Sequence, residues 1–217
     1  MRKDVSLLFL GKASDRHTEL AAEFCRRNFA TVAVYLGQWG DPFPDAIRSP
    51  DWDCIVSYLS RWIVPPQMLD KARLAINFHP GPPEYPGYGC NNFAIYEGAV
   101  EYGVACHHME RTVDTGPVIA VKRFPVLATD DGGTLLLRAY DYQLVLFYEI
   151  TELIIQGKQL PRSKATWTRK PFTRKQFDEL GRITNDMSEA EKARRTRAVN
   201  VDALKPSSRS QGRKCIR

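Results

Sequence analysis

Two short stretches carry the residue types that chemistry needs. Asn77-Phe78-His79-Pro80-Gly81 closes an apolar run, and Val113-Asp114-Thr115-Gly116-Pro117 reads as a tight turn. On a strand, residues two apart face the same side, so the Asn77 amide and the His79 imidazole point into one space. In open parallel sheets functional groups gather beyond the carboxyl ends of the strands. Each stretch also has a bland reading. A buried Asn and His can simply be satisfied by backbone, and an Asp beside a Gly is ordinarily a turn residue. Taken together they suggest more. An amide and an imidazolium are fixed donors for an oxygen that gains negative charge. A carboxylate can take the proton from an attacking amine and hold His79 in its charged form. That set fits transfer of an acyl or formyl group to an amine, with Asn77, His79 and Asp114 as the catalytic residues and no side-chain nucleophile. Cys90 lies near the loop, and a Cys–His thioester route competes on spacing alone.

The cysteines stand at positions 25, 54, 90, 106 and 215, with no C-x-x-C pair. Odd and scattered, they fit a reducing cytoplasm better than a disulfide framework. Cys106 precedes His107 and His108, which raises a metal site. However, the run alternates, and adjacent histidines on a strand point to opposite faces. No metal is expected.

The elements that must position these groups follow from the apolar pattern. VSLLFL (5–10), TVAVYL (31–36), CIVSYL (54–59) and LAINFH (74–79) are continuous apolar runs, as expected of buried parallel strands. The N-terminal run is too short for a comfortable leader peptide and Asp4 breaks its basic start, so it reads as the first strand. Ser14 is expected to cap a helix carrying Leu20, Ala21, Phe24 and Cys25. Pro65-Pro66 opens a short helix reaching about Arg73, and Asn91 to Gly98 looks helical. Runs 102–109 and 117–126 form a hairpin at the sheet edge, around the turn that carries Asp114. The stretch 134–155 is a long helix, apolar on most faces, and is expected to be buried against the sheet. The order predicts an α/β fold with a mostly parallel sheet and crossover helices. We divide the chain into a catalytic unit at 1–160, a helical extension at 161–204 and a basic, disordered tail at 205–217. In the extension, Ser188 with Glu191 has the capping-box pattern.

Charge is unevenly spread. Residues 1–163 hold 16 Lys and Arg against 19 Asp and Glu, while residues 164–217 hold 15 against 6, which together give the net +6. The basicity belongs to the last quarter. It suits either a solvated tail or a surface that meets anions. No apolar run approaches the length of a bilayer span, so a cytoplasmic protein with no membrane partner is expected.

The run INFHPGPPEYPGYG, with NNFAIYEG, YGVACHHM and VDTGPVIA after it, resembles the formyltransferase family that uses N10-formyltetrahydrofolate. The resemblance spans about Leu7 to Ile155 and is most specific at 75–120. It implies a Rossmann-like core, with the family's Asn, His and Asp at Asn77, His79 and Asp114. SYLSRWIVPPQML is similar to the piece that lines the family's folate pocket. This implies that Ser60, Arg61, Trp62 and Ile63 hold the pterin, with Val113 on the other side. Gly11-Lys12-Ala13-Ser14-Asp15 replaces the glycine-rich loop of the glycinamide ribonucleotide enzymes, and the 54 residues after position 163 read as helix and tail where the methionyl-tRNA enzymes carry a β-barrel. The tail WTRKPFTRKQFDEL is most similar to bacterial sugar N-formyltransferases. That likeness implies a nucleotide-linked 4-amino-4,6-dideoxy sugar of the GDP-perosamine or dTDP type, a role in O-antigen and lipopolysaccharide, and a homodimer. Nucleic acid is not the expected partner. Lys12, Tyr85 and Tyr88 are the residues expected to meet the sugar nucleotide.

Overall fold

Apolar runs that alternate onto two buried faces need cover on both sides, and this sheet has it. In the computed structural model, residues 2–48 and 50–204 are described. The elements run β1 (Arg2–Lys12), α1 (Arg16–Asn28), β2 (Phe29–Gly37), β3 (Cys54–Tyr58), α2 (Pro66–Lys71) and β4 (Leu74–His79). They continue with α3 (Cys90–Glu97), β5 (Glu101–His108), β6 (Val118–Pro125), α4 (Gly132–Ile155), α5 (Arg174–Leu180) and α6 (Glu189–Val199). The strands form one six-stranded sheet in the order β2-β1-β3-β4-β5-β6. β1 pairs parallel with β2 and β3, and β3 parallel with β4. β5 and β6 run antiparallel and complete the expected edge hairpin. The tail 205–217, expected to be disordered, lies outside the described residues.

The alternation decides which side chains meet. Leu7, Phe9, Val56, Tyr58, Ile76, Phe78 and Cys106 face α1 and α4 in the larger core. Leu8, Leu10 and Ile55 face the other way, against Ile47, Val64 and Met68. Asn77 and His79 alternate with Ile76 and Phe78, so they share the face of the smaller cluster. The long helix α4 fixes β4 from behind. Phe147 is fully buried and its ring packs edge-on against Phe9, Tyr58 and Phe78. Gln143 Nε2 donates to the Phe78 carbonyl at 2.6 Å. Thus the residue between Asn77 and His79 is held by both ring and backbone.

Two local expectations change. Ser14 does not cap α1: its backbone is left-handed (φ 56), and Asp15 is the N-cap, accepting from Thr18 N at 3.0 Å. A left-handed residue cannot present the extended backbone that an N-cap needs, and the next residue supplies it. Half of the capping box at α6 forms. Ser188 accepts from Glu191 N, while the Glu191 carboxylate goes to Tyr96 and Arg195.

The basic extension is not a solvated tail as far as Leu204. Arg195 donates to the carbonyls of Glu179, Leu180 and Arg182, and Arg197 to those of Asp130 and Ala128. Asn92 Nδ2 reaches the Ala198 carbonyl at 2.7 Å, tying α6 to α3. Guanidiniums here satisfy carbonyls at the end of α5 and in the loop before α4, a use of positive charge that composition cannot reveal.

Phe147→Ala removes the ring that braces β4. Removal of a buried Phe costs about 3–5 kcal/mol, and urea unfolding should show a loss of that size. A loss under about 1 kcal/mol would show that α4 does not hold the strand.

Candidate active site

β4 ends at His79, and the chain then enters a proline-rich loop that returns beneath it. His79 is 5% exposed and Asp114 4%. His79 Nδ1 lies 3.3 Å from Asp114 Oδ2. Its Nε2 lies 3.0 Å from the Tyr85 carbonyl oxygen, which only accepts, so this nitrogen carries a hydrogen. Gly87 N donates to Asp114 Oδ2 at 2.9 Å. Gly87 has φ 87, and a Cβ there would meet the Phe172 backbone at 2.5 Å, so only glycine permits this approach. Gly81 is similarly crowded: a Cβ there would sit 2.7 Å from His79 Nε2.

Asp114 itself is left-handed (φ 51), a backbone that Asp tolerates better than most residues. Its other oxygen meets a residue that the sequence reading set aside. β4 and β5 pair Asn77 with His107, so the two share a face. His107 Nε2 lies 3.2 Å from Asp114 Oδ1 and 3.1 Å from Asn77 Nδ2. His107 Nδ1 donates to the His108 carbonyl at 2.8 Å. The one remaining nitrogen can accept from Asn77 or, protonated, donate to Asp114, but not both at once. Asn77 Nδ2 is also 3.5 Å from Asp114 Oδ1.

The electrostatics follow from this packing. Burial alone would push the His79 pKa down. The Asp114 carboxylate outweighs it, helped by the Cys90 thiol and the Tyr85 carbonyl, and His79 is lifted to about 9. Burial would likewise raise Asp114. His79, His107 and the Gly87 N–H overcome it and hold the carboxyl well below the usual carboxylate range. The site therefore holds a charged imidazolium–carboxylate pair at neutral pH.

Asn77, His79, His107 and Asp114 line a cleft of about 620 Å³. Ser60, Arg61, Trp62, Ile63 and Val113 line it as well. Trp62 N donates to Ser60 Oγ at 3.2 Å, and Trp62 Nε1 to the Asp41 carbonyl at 3.0 Å. Ile63 and Val113 are exposed at the rim. Cys90 lines the same cleft, with its thiol donating to the Pro80 carbonyl at 3.6 Å.

Of the three acceptor candidates, the cleft takes one. Tyr88 lines it, 5.9 Å from the ring of Trp39. Tyr85 is buried against Tyr102 and contributes its carbonyl to His79. Lys12 is paired with Asp15 at 3.1 Å, over the ring of Tyr140, which does line the cleft. The extension supplies Pro171, Phe172 and Phe177 to the lining. Trp167 lies edge-on to both His107 (5.0 Å) and His79 (6.0 Å). No spacing rule points to Trp167. His107 was legible, since the expected hairpin places one of the adjacent histidines on the Asn77 face.

The family model described as formyl transferase matches residues 45–150, the stretch that holds the whole Asn77–His79–Asp114 arrangement. Residues 45–150 are thus similar to the formyl transferase family. A methionyl-tRNA formyltransferase of Dictyoglomus thermophilum is 35% identical over 114 residues, covering 52% of this chain and 36% of that protein. A dTDP-4-amino-4,6-dideoxyglucose formyltransferase of Mycobacterium tuberculosis is 28% identical over 133 residues, covering 61% and 56%. The chain thus spans between a third and little more than half the length of these curated relatives. Among solved structures, a Mycobacterium tuberculosis protein assigned as a sugar N-formyltransferase superposes with TM-score 0.76 at 25% identity, covering 91% of this chain and 88% of that one. An N-formyltransferase of Helicobacter canadensis, in complex with folinic acid and dTDP-3-aminofucose, shares the fold with TM-score 0.68 at 20% identity, covering 89% and 80%. The described residues share the mixed α/β fold of those enzymes.

The ion pair has a sign that can be tested. His79 is raised from 6.5 to about 9, so its contribution to stability is complete below pH 6.5 and is lost as pH climbs through 9. The Asp114 contribution is present above its ordinary 3.8 and is lost at lower pH. Unfolding free energy should therefore fall between about pH 6.5 and 9. In Asp114→Asn burial wins at His79 and that slope should vanish. An unchanged slope in the variant would remove the pair from the account.

Proposed function

We propose that this chain transfers a formyl group from N10-formyltetrahydrofolate to the amine of a nucleotide-linked 4-amino-4,6-dideoxy sugar. The observation that carries the reading is the convergence of Asn77, His79 and Asp114 on a cleft that Ser60–Ile63 also line. The cleft is of a size that takes a pterin, and the apolar Trp62, Ile63 and Val113 suit its ring.

The chemistry assigns roles. The amine attacks the formyl carbon, and its oxygen gains negative charge. Asn77 lines the cleft, and its amide, which rests against His107 Nε2 and Asp114, is the side-chain donor assigned to that oxygen. In the resting geometry both His79 nitrogens are already partnered, so His79 acts on that oxygen through its fixed positive charge. The amine nitrogen gives its proton to Asp114, directly or through water, and as the bond from the formyl carbon to N10 breaks that proton is passed on to N10, releasing tetrahydrofolate.

The sugar-nucleotide acceptor rests on the mouth of the cleft. Trp39 and Tyr88 offer two aromatic rings there. The Arg61 guanidinium lies over Trp39 at 4.9 Å, and that of Arg174 over Tyr88 at 5.3 Å. Rings suit a base and guanidiniums a diphosphate. The structural likeness to a sugar N-formyltransferase over most of both chains adds support. A product entering O-antigen and lipopolysaccharide, a homodimer and a cytoplasmic location complete the reading. Transfer to methionyl-tRNA is the second reading, favoured by the Dictyoglomus relative.

His79→Ala and Asp114→Asn should each lower kcat about a hundred- to a thousandfold with the fold intact. Near-normal turnover in either would refute the mechanism. A folate analogue soaked into crystals should place its pterin beside Arg61–Ile63, and density elsewhere would contradict the pocket assignment. The acceptor is decided by product mass with GDP- and dTDP-linked amino sugars, methionyl-tRNA and glycinamide ribonucleotide. Formylation of either of the last two, with the amino sugars inert, would overturn the acceptor and leave the formyl chemistry standing.

A further inference from the structure

The two loops that build the site are joined by a third segment. Residues 163–172 run across both. Ser163 N donates to the Val118 carbonyl at 3.0 Å, Thr168 N to that of Pro83 at 3.2 Å and Phe172 N to that of Pro86 at 2.9 Å, while Tyr88 N returns a bond to the Phe172 carbonyl at 2.9 Å. Phe172 also stacks on Phe93 at 3.8 Å. Midway along this strap stands Trp167. Its Nε1 donates to the Gly116 carbonyl at 2.8 Å, two residues beyond Asp114. Its ring edges contact His107 and His79.

From this geometry we infer that Trp167 is a positioning residue: it roofs the His79 and His107 imidazoles and pins the turn that aims the Asp114 carboxylate. The turn needs such a pin. Asp114 holds a left-handed backbone, which persists only where its surroundings over-determine it. Gly87 N–H binds Asp114 from the side of the proline-rich loop, and the Trp167 ring N–H secures the same turn from the strap. Neither loop alone fixes the pair. The indole also covers His79, whose other neighbours are Asp114, Cys90 and the Tyr85 carbonyl. Trp167 touches none of the atoms that the proposed reaction changes, so its effect must come through the residues it holds.

The rate readout rests on the formyl-transfer reading, and the titration readout does not. In the full chain, Trp167→Phe keeps a ring and removes only the N–H, while Trp167→Ala removes both. Misplacement of reacting groups by about 1 Å costs up to about a hundredfold. We expect kcat to fall about tenfold in the Phe variant and nearer a hundredfold in Ala. KM for the formyl donor should change less than about twofold, because the pterin wall is untouched. By NMR, the His79 imidazole should titrate near 9 in the parent chain and move down toward 6.5 in the variants as Asp114 is released. Unchanged kcat and unchanged titration, or a loss confined to KM, would overturn the inference. If the Ala variant does not fold, the Phe variant decides. If the parent chain formylates no acceptor, the functional reading fails and the titration still decides Trp167.

Discussion

Everything at this site depends on keeping one carboxylate ionised out of water. A buried charge without partners costs several kcal/mol or changes protonation state instead. Asp114 avoids both outcomes with partners from three directions: the His79 imidazolium, the Gly87 backbone N–H and the His107 ring, which donates to it when Nε2 is protonated. Each partner sits on a different piece of chain. β4 gives His79, the proline-rich loop gives Gly87 and β5 gives His107. The carboxylate thus works as the point at which three segments must agree. This explains why glycine is needed at 87 and small volume at 81, since either side chain would part a donor from its acceptor.

The change of direction in the sheet makes this agreement possible. Up to β4 all pairs are parallel, and parallel neighbours need a long crossover to connect them. β5 instead runs antiparallel to β4, which places His107 directly opposite Asn77. The chain then turns over residues 109–117 and enters β6. That short turn is what carries Asp114 back over His79. A second parallel strand there would have sent the chain away across a helix. The antiparallel hairpin is therefore part of the geometry of the candidate site as well as a way of finishing an edge.

The strands, α4 and the convergence of Asn77 with His79 were legible because each depends on local periodicity. Continuous apolar runs mark buried strands, and a two-residue spacing marks a shared face. Boundaries were less legible. The left-handed backbone at Ser14 moves the cap of α1 to Asp15, and no pattern announces it. His107 was within reach of the pairing rule but was weighed only as a metal ligand. The extension was least legible, because its order comes from long-range bonds. Arg195 and Arg197 resemble a solvated basic helix in sequence, and only tertiary packing shows that they cap carbonyls. Trp167 has no periodicity at all, being placed by the backbone bonds of its strap and its own indole N–H, which reach residues 45 to 86 positions away.

One tension in the proposed chemistry has a physical resolution. A carboxylate held far below its usual range is a weak base, so Asp114 cannot remove a proton from a free amine to any useful extent. It does not have to. Once the nitrogen has bonded to the formyl carbon it bears a positive charge, and its proton becomes far more acidic. Asp114 is matched to that later moment, while its ion pair keeps His79 charged when the formyl oxygen turns negative. Raising the basicity of Asp114 by removing His79 would thus not help. It would trade a charge aimed at the oxygen for a stronger base at a step that does not need one. The same pairing that weakens the base supplies the electrostatic field, and the site is built for the field.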